Sequence, residues 1–477
     1  MSLPLHAQSR CVSEAAVLEG LPPVREVSAA EVAARISGGP RLVVLDDDPT
    51  GTQTVADIPV LTSWSVEDLR WALRQGGSAF FVLTNTRSLS PEDAAARNRE
   101  VVRALKEAAK AEGTGYVLAS RSDSTLRGHF PLETDVLAEE LGAVDGVVLV
   151  PAYIEAGRLT VNSHHWMRTA KGLLPVGESE FARDATFGYR NSALPEWVEE
   201  KTGGRVPADE VLGITLDDLR GGGPAHTARL LTSLSGGRTA VIDAVCDDDL
   251  RVLALALAEA EENGTRLLYR VGPSFVRARA GQAARAPLTP AELRPLRGDT
   301  PHGLIVVGSH VALTTRQLDQ LRERGGIAEY ELDVALLLDE ERRDAHIAEV
   351  AAAAADALDS ADAVIRTSRA VVKGADADES LAISRRVSAA LAETVRQVNA
   401  TRRPAFVVAK GGITSSDTAT HGLQIRRAWA RGTLLPGLVS LWEPVEGPAA
   451  GIPYIVFAGN VGGPDALADA ADLLRSA

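Results

Sequence analysis

An α/β protein of two domains, each a mostly parallel sheet flanked by helices, is predicted by three observations. From residue 41 onward, short β-branched runs alternate with amphipathic helical stretches, the pattern of βαβ units. The alternation pauses over 282–301, a stretch punctuated by Pro287, Pro290, Pro295 and Pro301, and then resumes. The length of 477 residues is about three times the ~150-residue domain prior, which two large domains satisfy. The expected division is a lead-in over 1–30, a first domain over 31–281, a linker over 282–301 and a second domain over 302–477.

The elements follow in order. Leu42-Val43-Val44-Leu45 is a continuous apolar run of the kind that sits in a strand buried on both faces. Ala79 to Leu83, Tyr116 to Ala119 and Gly146 to Val150 repeat it. Between the second and third, Ser90 offers an N-cap, Pro91 the first helical position and Glu92 and Asp93 early acidic residues. Val101, Leu105 and Ala108 then share one face, and Gly113 ends the helix. In the second half Leu304 to Val307, Ala363 to Ile365, Ala405 to Val408 and Tyr454 to Phe457 read as strands. Val387, Leu391, Val395 and Val398 stripe a helix, and Ala351 to Ala355 lies inside another. A further helix is expected from about residue 416 to Gly432.

Composition narrows the function. Apolar residues make up 45% and charged residues 24%, which excludes wholesale disorder. Lys plus Arg number 50 against 64 Asp plus Glu, a net charge of −14. That balance argues against a nucleic-acid backbone binder while permitting a small anionic ligand. Two cysteines, Cys11 and Cys246, make neither a disulfide framework nor a four-thiolate metal site. No stretch reaches the ~20 apolar residues of a membrane span, and Met1 to Arg10 lacks the pattern of a secretory signal. A soluble cytoplasmic protein is expected.

Four polar clusters leave predicted strands, where open parallel sheets place ligands. In Asp46-Asp47-Asp48-Pro49-Thr50-Gly51 three successive carboxylates repel unless a metal, a hydroxyl or an arginine joins them; alternatively Asp48 caps a turn. In Arg121-Ser122-Asp123-Ser124-Thr125-Leu126-Arg127-Gly128, two guanidiniums and a carboxylate suit a polyhydroxylated acid. The plainer reading is an Asp123–Arg127 pair. Lys410-Gly411-Gly412-Ile413-Thr414-Ser415-Ser416-Asp417 opens a helix after a glycine pair, a setting for phosphate, although Ser416 or Asp417 also reads as an N-cap. Gly459-Asn460-Val461-Gly462-Gly463 repeats that logic. The P-loop, the dinucleotide fingerprint and the nucleophile elbow are absent from the sequence. Adjacent His164 and His165 lack the spacing of a helical zinc pair, and Cys246 among aspartates is a poor nucleophile.

Taken in order, these clusters resemble the four-carbon acid sugar kinase family. Asp47 to Gly51 is similar to its A-D-D-x-T-G signature with Asp46 in place of alanine, and Arg121 to Gly128 to its K-x-D-S-T-x-R-G. Pro151-Ala152 through Gly157-Arg158, Gly177 through Asp184, Val307-Gly308-Ser309 and Thr314 to Gln317 match further segments. Lys410 to Ser415 resembles a G-G-E-T-S loop with Ile413 for glutamate, and Gly459 to Gly462 resembles S-G-N-F-G, with Phe457 where many members have lysine. These departures mark a divergent subgroup.

The resemblance implies an N-terminal domain for the sugar acid, a C-terminal domain for ATP with Mg²⁺, and an active-site cleft between them. It implies Asp48 as the base, with Asp123 second. Asp47, Thr50, Gly51, Arg87, Ser124, Arg127, Gly157 and Arg158 are expected on the acid. Ser309, Thr367, Ser368, Gly411, Gly412, Thr414 and Asn460 are expected on the nucleotide. Metal ligands are not assigned. The expected partners are the acid and ATP, with no nucleic acid and no membrane, and a homodimer as the default assembly. The acid stays open among erythronate, threonate, their 3-oxo forms and branched five-carbon analogues. Two other classes stand beside this one: a nicotinamide-dependent oxidoreductase of the same acids, disfavoured by the missing fingerprint, and a sugar-acid sensor without turnover.

Overall fold

The protein is described from a computed structural model covering residues 11–296, 300–369 and 377–477. The first ten residues of the expected lead-in lie outside that range. The chain forms two compact units. One comprises residues up to Asp47, Leu69–Phe80 and Leu89–Ala284; the other comprises Asp48–Asp68, Phe81–Ser88 and Arg285–Ala477.

In the first unit six strands pair in parallel, in the spatial order Arg41–Asp46, Tyr116–Arg121, Leu267–Val271, Gly146–Val150, Arg238–Ile242, Leu212–Ile214. Burial on both faces explains the continuous apolar runs: Val43, Val44, Leu118 and Val148 have no exposed surface. The helix Pro91–Glu112 begins as its sequence dictates. Ser90 accepts from the Asp93 amide at 3.1 Å, and Gly113 closes the helix at φ +64°. A small antiparallel sheet of Arg158–Val161, His164–Thr169 and Gly172–Pro175 is added to this frame.

The second unit holds five parallel strands in the order Ile327–Leu332, Asp362–Thr367, Leu304–Val307, Val407–Lys410, Tyr454–Phe457. Leu438–Pro444 and Arg427–Leu435 continue it antiparallel. The helix expected to reach Gly432 therefore stops early: Gly412–Asp417 passes into a wider turn ending at Gly422, and 427–435 is a strand. Gly432 is not a helix end but follows a register shift in that hairpin, at φ +138°. Part of the stretch read as linker is also built into this unit. Thr289 and Glu292 form a capping box on the Pro290–Leu293 turn, and Leu288 and Leu293 join the apolar core.

Residues 48–68 belong to the second unit because their contacts are there. Ile58–Leu61 pairs antiparallel with Arg427–Ala430. Trp442 Nε1 donates to Thr52 Oγ1 at 2.9 Å, and the Thr52 hydroxyl donates to Ser440 Oγ at 2.9 Å. Asp68, fully buried, accepts from Arg426, Arg427, Ser63 and Ser65. Those donors hold its carboxyl below the usual range against the opposing cost of burial.

Candidate functional site

In the first unit the site grows from one register. Asp46 and Arg121 are Cα partners at the ends of neighbouring parallel strands. Arg121 Nη1 donates to Asp46 Oδ1 at 2.9 Å, with both side chains buried, and lies 4.0 Å from Asp47 Oδ1. One of the two guanidiniums expected to grip an acid is therefore committed to the aspartate run.

The turn after Tyr116–Arg121 is held from several sides. Asp123 Oδ1 accepts from the Thr125 amide at 3.2 Å, and Oδ2 accepts from the Thr125 hydroxyl and, at 2.6 Å, from Arg127 Nε. Arg127 lies 3.6 Å from Asp184 and stands over the Phe181 ring. His165, fully buried, donates from Nε2 to the Ser124 carbonyl at 2.8 Å and receives the Thr160 hydroxyl at Nδ1. Burial lowers its pKa to about 4, so it serves as a neutral strut. Tyr189 donates to the Thr125 carbonyl at 2.6 Å.

Arg270, which no sequence motif flagged, completes the floor. It is the penultimate residue of the Leu267–Val271 strand, donates to Ser120 Oγ and Ser122 Oγ at 2.6 and 2.7 Å, and is paired with buried Glu133. A Cβ on Gly128, at φ +127°, would stand 2.8 Å from both Arg270 Nη2 and Ser122 Oγ and 3.0 Å from Asp47 Oδ2. Glycine is thus required where the turn closes over these polar atoms. A small pocket here is lined by Ser122, Asp123, Leu126, Pro151, Trp197 and Arg270. The signal that could have found Arg270 is an arginine inside an otherwise apolar run.

Arg158 opens the strand Arg158–Val161 and donates to the Ala156 carbonyl. Its buried Nε has no hydrogen-bond partner among the described residues. Burial lowers its pKa, against the pull of Asp123. Gly157 is required by the backbone, since at φ +71° its Cβ would lie 2.6 Å from Arg168 Cβ.

Asp48, Thr50, Gly51 and Arg87, read from sequence as part of the acid site, fall in the second unit. Arg87 Nη1 donates to Asp48 Oδ2 at 2.5 Å. Asp48 Oδ1 accepts from the Thr50 amide at 2.8 Å and its hydroxyl at 2.5 Å. The turn-capping role that competed with a chemical one is thus realised. Asp46 and Asp48 each have a guanidinium partner, which relieves repulsion within the run.

The second unit brings Gly308-Ser309, Thr367-Ser368, Gly411-Gly412 and Gly459-Asn460 to the carboxyl ends of its parallel strands. The packing there is close. A Cβ on Gly308 would lie 2.3 Å from Thr414 Oγ1, one on Gly411 3.0 Å from the same atom, and one on Gly459 2.6 Å from Ser309 Oγ. Thr314 donates to Ser309 Oγ at 3.1 Å or to the Gly459 carbonyl at 3.0 Å. One helical turn on, Gln317 Nε2 donates to the Val461 and Gly463 carbonyls at 3.0 and 2.8 Å. The spacing of threonine and glutamine thus puts two anchors on one face of Ala312–Arg324. Arg369, unforeseen, donates to the Ser309 carbonyl at 2.6 Å and Thr315 Oγ1 at 2.7 Å.

Beside these turns lies a pocket of about 210 Å³, with Gly308, Thr367, Val387, Leu391, Ile413 and Thr414 in its wall. Thr367 Oγ1 is buried without a partner among the described residues. Gly412 faces open space, and Asn460 is exposed. Ser368 is engaged with Glu331 at 2.7 Å and accepts from the Val334 amide. Ser416 and Asp417 do not cap the Gly412–Asp417 helix, whose N-cap is Gly411 at φ +127°.

Comparison with known proteins gives this arrangement its class. A family model described as a sugar-binding N-terminal domain matches residues 42–279, and one described as a nucleotide-binding C-terminal domain matches 304–467. The molecule is therefore an α/β protein that joins a sugar-binding to a nucleotide-binding domain. It belongs to the four-carbon acid sugar kinase family. It is similar to a D-threonate kinase of Bordetella bronchiseptica, 29% identical over 455 residues, spanning 92% of this chain and 98% of the relative. It is also similar to a D-erythronate kinase of Heliobacterium modesticaldum, 26% identical over 327 residues, spanning 67% and 68%. In fold it resembles a protein from Salmonella typhimurium LT2, with a TM-score of 0.65, 19% identity and coverage of 90% and 98%. A Haemophilus influenzae protein gives 0.61, 20% identity and coverage of 91% and 100%. Among the described residues no helix is long and apolar enough to cross a membrane.

Proposed function

We propose that the chain is an ATP-dependent kinase that phosphorylates a hydroxyl of a small sugar acid, a four-carbon tetronate, a 3-oxo-tetronate or a close analogue. The observation that carries this reading is half-buried Arg158, whose enclosed Nε has no hydrogen-bond partner among the described residues, on the same unit as Arg127 and Arg270. An enclosed guanidinium N–H left without a partner is costly, and an anion would complete it. The names of the threonate and erythronate kinase relatives support the same class of acid.

In this reading Arg127 and Arg158, with Arg87, take the acid's carboxylate and hydroxyls, and Asp47, Ser124, Thr50, Gly51 and Gly157 shape its surroundings. Asp48 accepts the proton of the attacking hydroxyl, with Asp123 as the second choice. A mild base suffices, since a loose phosphoryl-transfer transition state asks for little early proton removal. The glycine turns fit a nucleotide: Gly308, Gly411 and Gly459 leave no room for a side chain, and Thr367 Oγ1 offers an unused hydroxyl. Gly411, Gly412 and Thr414 would cradle phosphates, with Ser309, Thr367, Ser368 and Asn460 around the nucleotide. Mg²⁺ neutralises charge on the phosphates in such reactions and keeps most of its ligands as water and phosphate oxygen.

The test is a coupled assay of ADP release with Mg²⁺–ATP over erythronate, threonate, their 3-oxo forms and branched five-carbon analogues. Acid-dependent turnover with one of them is expected; absence of turnover with all of them overturns the proposal.

A further inference from the structure

Lys410 is a buried cation that the proposed chemistry does not use. It ends the Val407–Lys410 strand, one residue before the glycine pair, and has no exposed surface. Its Nζ donates to the Ala458 carbonyl at 2.6 Å and sits 3.8 Å from the centre of the Phe457 ring. Lys410 and Phe457 are direct Cα partners on adjacent parallel strands, so the ammonium reaches across the pair to the residue that opens the next loop.

No described carboxylate, imidazole or guanidinium bonds to it. By register its side chain shares a face with Val307 and Phe457, which pack on Leu318 and Leu321 of Ala312–Arg324 and on Leu467 and Leu474 of Ala466–Ser476. The charged groups of those elements are spent elsewhere. Arg322 pairs with Asp319 and Glu329, Arg324 with Asp465, Asp469 and Asp472, and Arg475 with Asp362 and Asp472. Arg366 pairs with Glu329 and Glu331, Arg431 with Glu443, Glu323 accepts from Gln320, and Arg316 is exposed. Burial alone lowers the Lys410 pKa to about 7.

The loop it touches is fastened through its carbonyls. Ala458 O accepts from Lys410, Gly459 O from Thr314, and Val461 O and Gly463 O from Gln317. Carbonyls held on the inner side leave the opposite side of a turn to its amides, the arrangement that receives anions.

We propose that Lys410 is a positioning residue: its ammonium fixes the Ala458 carbonyl so that the Gly459–Gly463 turn is preorganised for the nucleotide's phosphates. This rests on the kinase reading above, and the test separates the two. Calorimetry on the full chain would measure ADP affinity for wild type, Lys410→Met and Lys410→Gln, at pH values a unit or more on either side of about 7. At the acid end wild type is expected to bind about tenfold or more tightly than Lys410→Met, the scale of one hydrogen bond from a charged donor. The advantage shrinks as pH rises and the ammonium is lost. Taking the ratio to a non-titrating variant removes the titration of ADP itself. Lys410→Gln, which keeps a neutral donor in the same place, gives the same declining ratio should the methionine variant not fold. A ratio that is flat with pH, or equal to one at the acid end, overturns the role of Lys410 while leaving the kinase reading standing. No ADP binding by wild type at any pH overturns both.

Discussion

Asp48 and Asp123 are held in the same way although they lie in different units. Each carboxylate accepts from the amide and the hydroxyl of the threonine two residues on, and each pairs with an arginine, Arg87 in one case and Arg127 in the other. A carboxylate fixed at both oxygens is well aimed but not idle, because a substrate hydroxyl can replace one of these donors. The two variants therefore discriminate between bases. Asn keeps an acceptor for the threonine amide, so neither Asp48→Asn nor Asp123→Asn should unfold its turn. Asp48→Asn is expected to lower kcat by about 10²-fold or more with ATP affinity largely spared, and Asp123→Asn to act mainly on the KM for the acid. Steady-state kinetics with both substrates varied check this. Wild-type kcat in Asp48→Asn removes that residue from the chemistry.

Buried ion pairs carry the second prediction. Arg270 and Glu133 are each no more than a few per cent exposed, and Glu133 also accepts from Asn98 and Ser120. Arg270→Met leaves that carboxylate uncompensated and should cost roughly 3–5 kcal/mol in urea unfolding. Adding Glu133→Leu should return much of the loss, since an apolar pair of similar volume is often no less stable. If the double variant is stable yet binds the acid weakly in calorimetry, Arg270 belongs to the acid site as well as to the scaffold.

Much of this was legible in sequence where local chemistry decides the outcome. Ser90, Pro91 and Gly113 bound their helix because each acts on neighbouring backbone groups. The aspartate run called for a metal, a hydroxyl or an arginine, and Arg121 and Arg87 supply one guanidinium each. What stayed hidden depends on distant partners. Nothing near Asp48 in the chain indicates Arg87, and nothing near Ile58 shows that it pairs with Ala430. The Arg427–Leu435 strand was obscured because its alternation of half-buried and buried residues gives way after the register shift to a buried run from Gly432, and that glycine then reads as a helix stop. Arg270 was missed for a related reason: an arginine inside an apolar run is visible, but its partners Ser120, Ser122 and Glu133 lie far away in the chain.

The nucleotide turns offer a steric prediction. Gly308 is not in a left-handed conformation, so alanine strains no backbone angle there; what it meets is Thr414 Oγ1 at 2.3 Å and Leu391 Cδ2 at 3.2 Å. Both line the pocket. Gly308→Ala should therefore push Thr414 aside and weaken nucleotide binding about tenfold or more, the effect of displacing one good polar contact, with a smaller loss of stability. Pairing it with Thr414→Ser, whose unbranched side chain can turn its hydroxyl away from the new methyl group, should recover part of the affinity if crowding is the cause. ADP calorimetry on the three proteins decides this.

His165 supplies the pH prediction. Its ring is neutral because burial holds its pKa at about 4, below the ordinary value of 6.5. Between those two values the unfolded chain binds a proton that the folded chain refuses. Stability from this group is thus fully present above about pH 6.5 and is lost as pH falls toward 4, by up to ~1.4 kcal/mol for each pH unit. His165→Gln keeps a side-chain donor for the Ser124 carbonyl but does not titrate. Urea unfolding of wild type and variant over that window isolates the contribution from the many carboxylates that titrate alongside it. The wild-type curve should fall more steeply toward acid than the variant's. Parallel curves would mean that the histidine is already charged in the folded protein, and the strut under the Asp123–Thr125 turn would then have to be an imidazolium rather than a neutral ring.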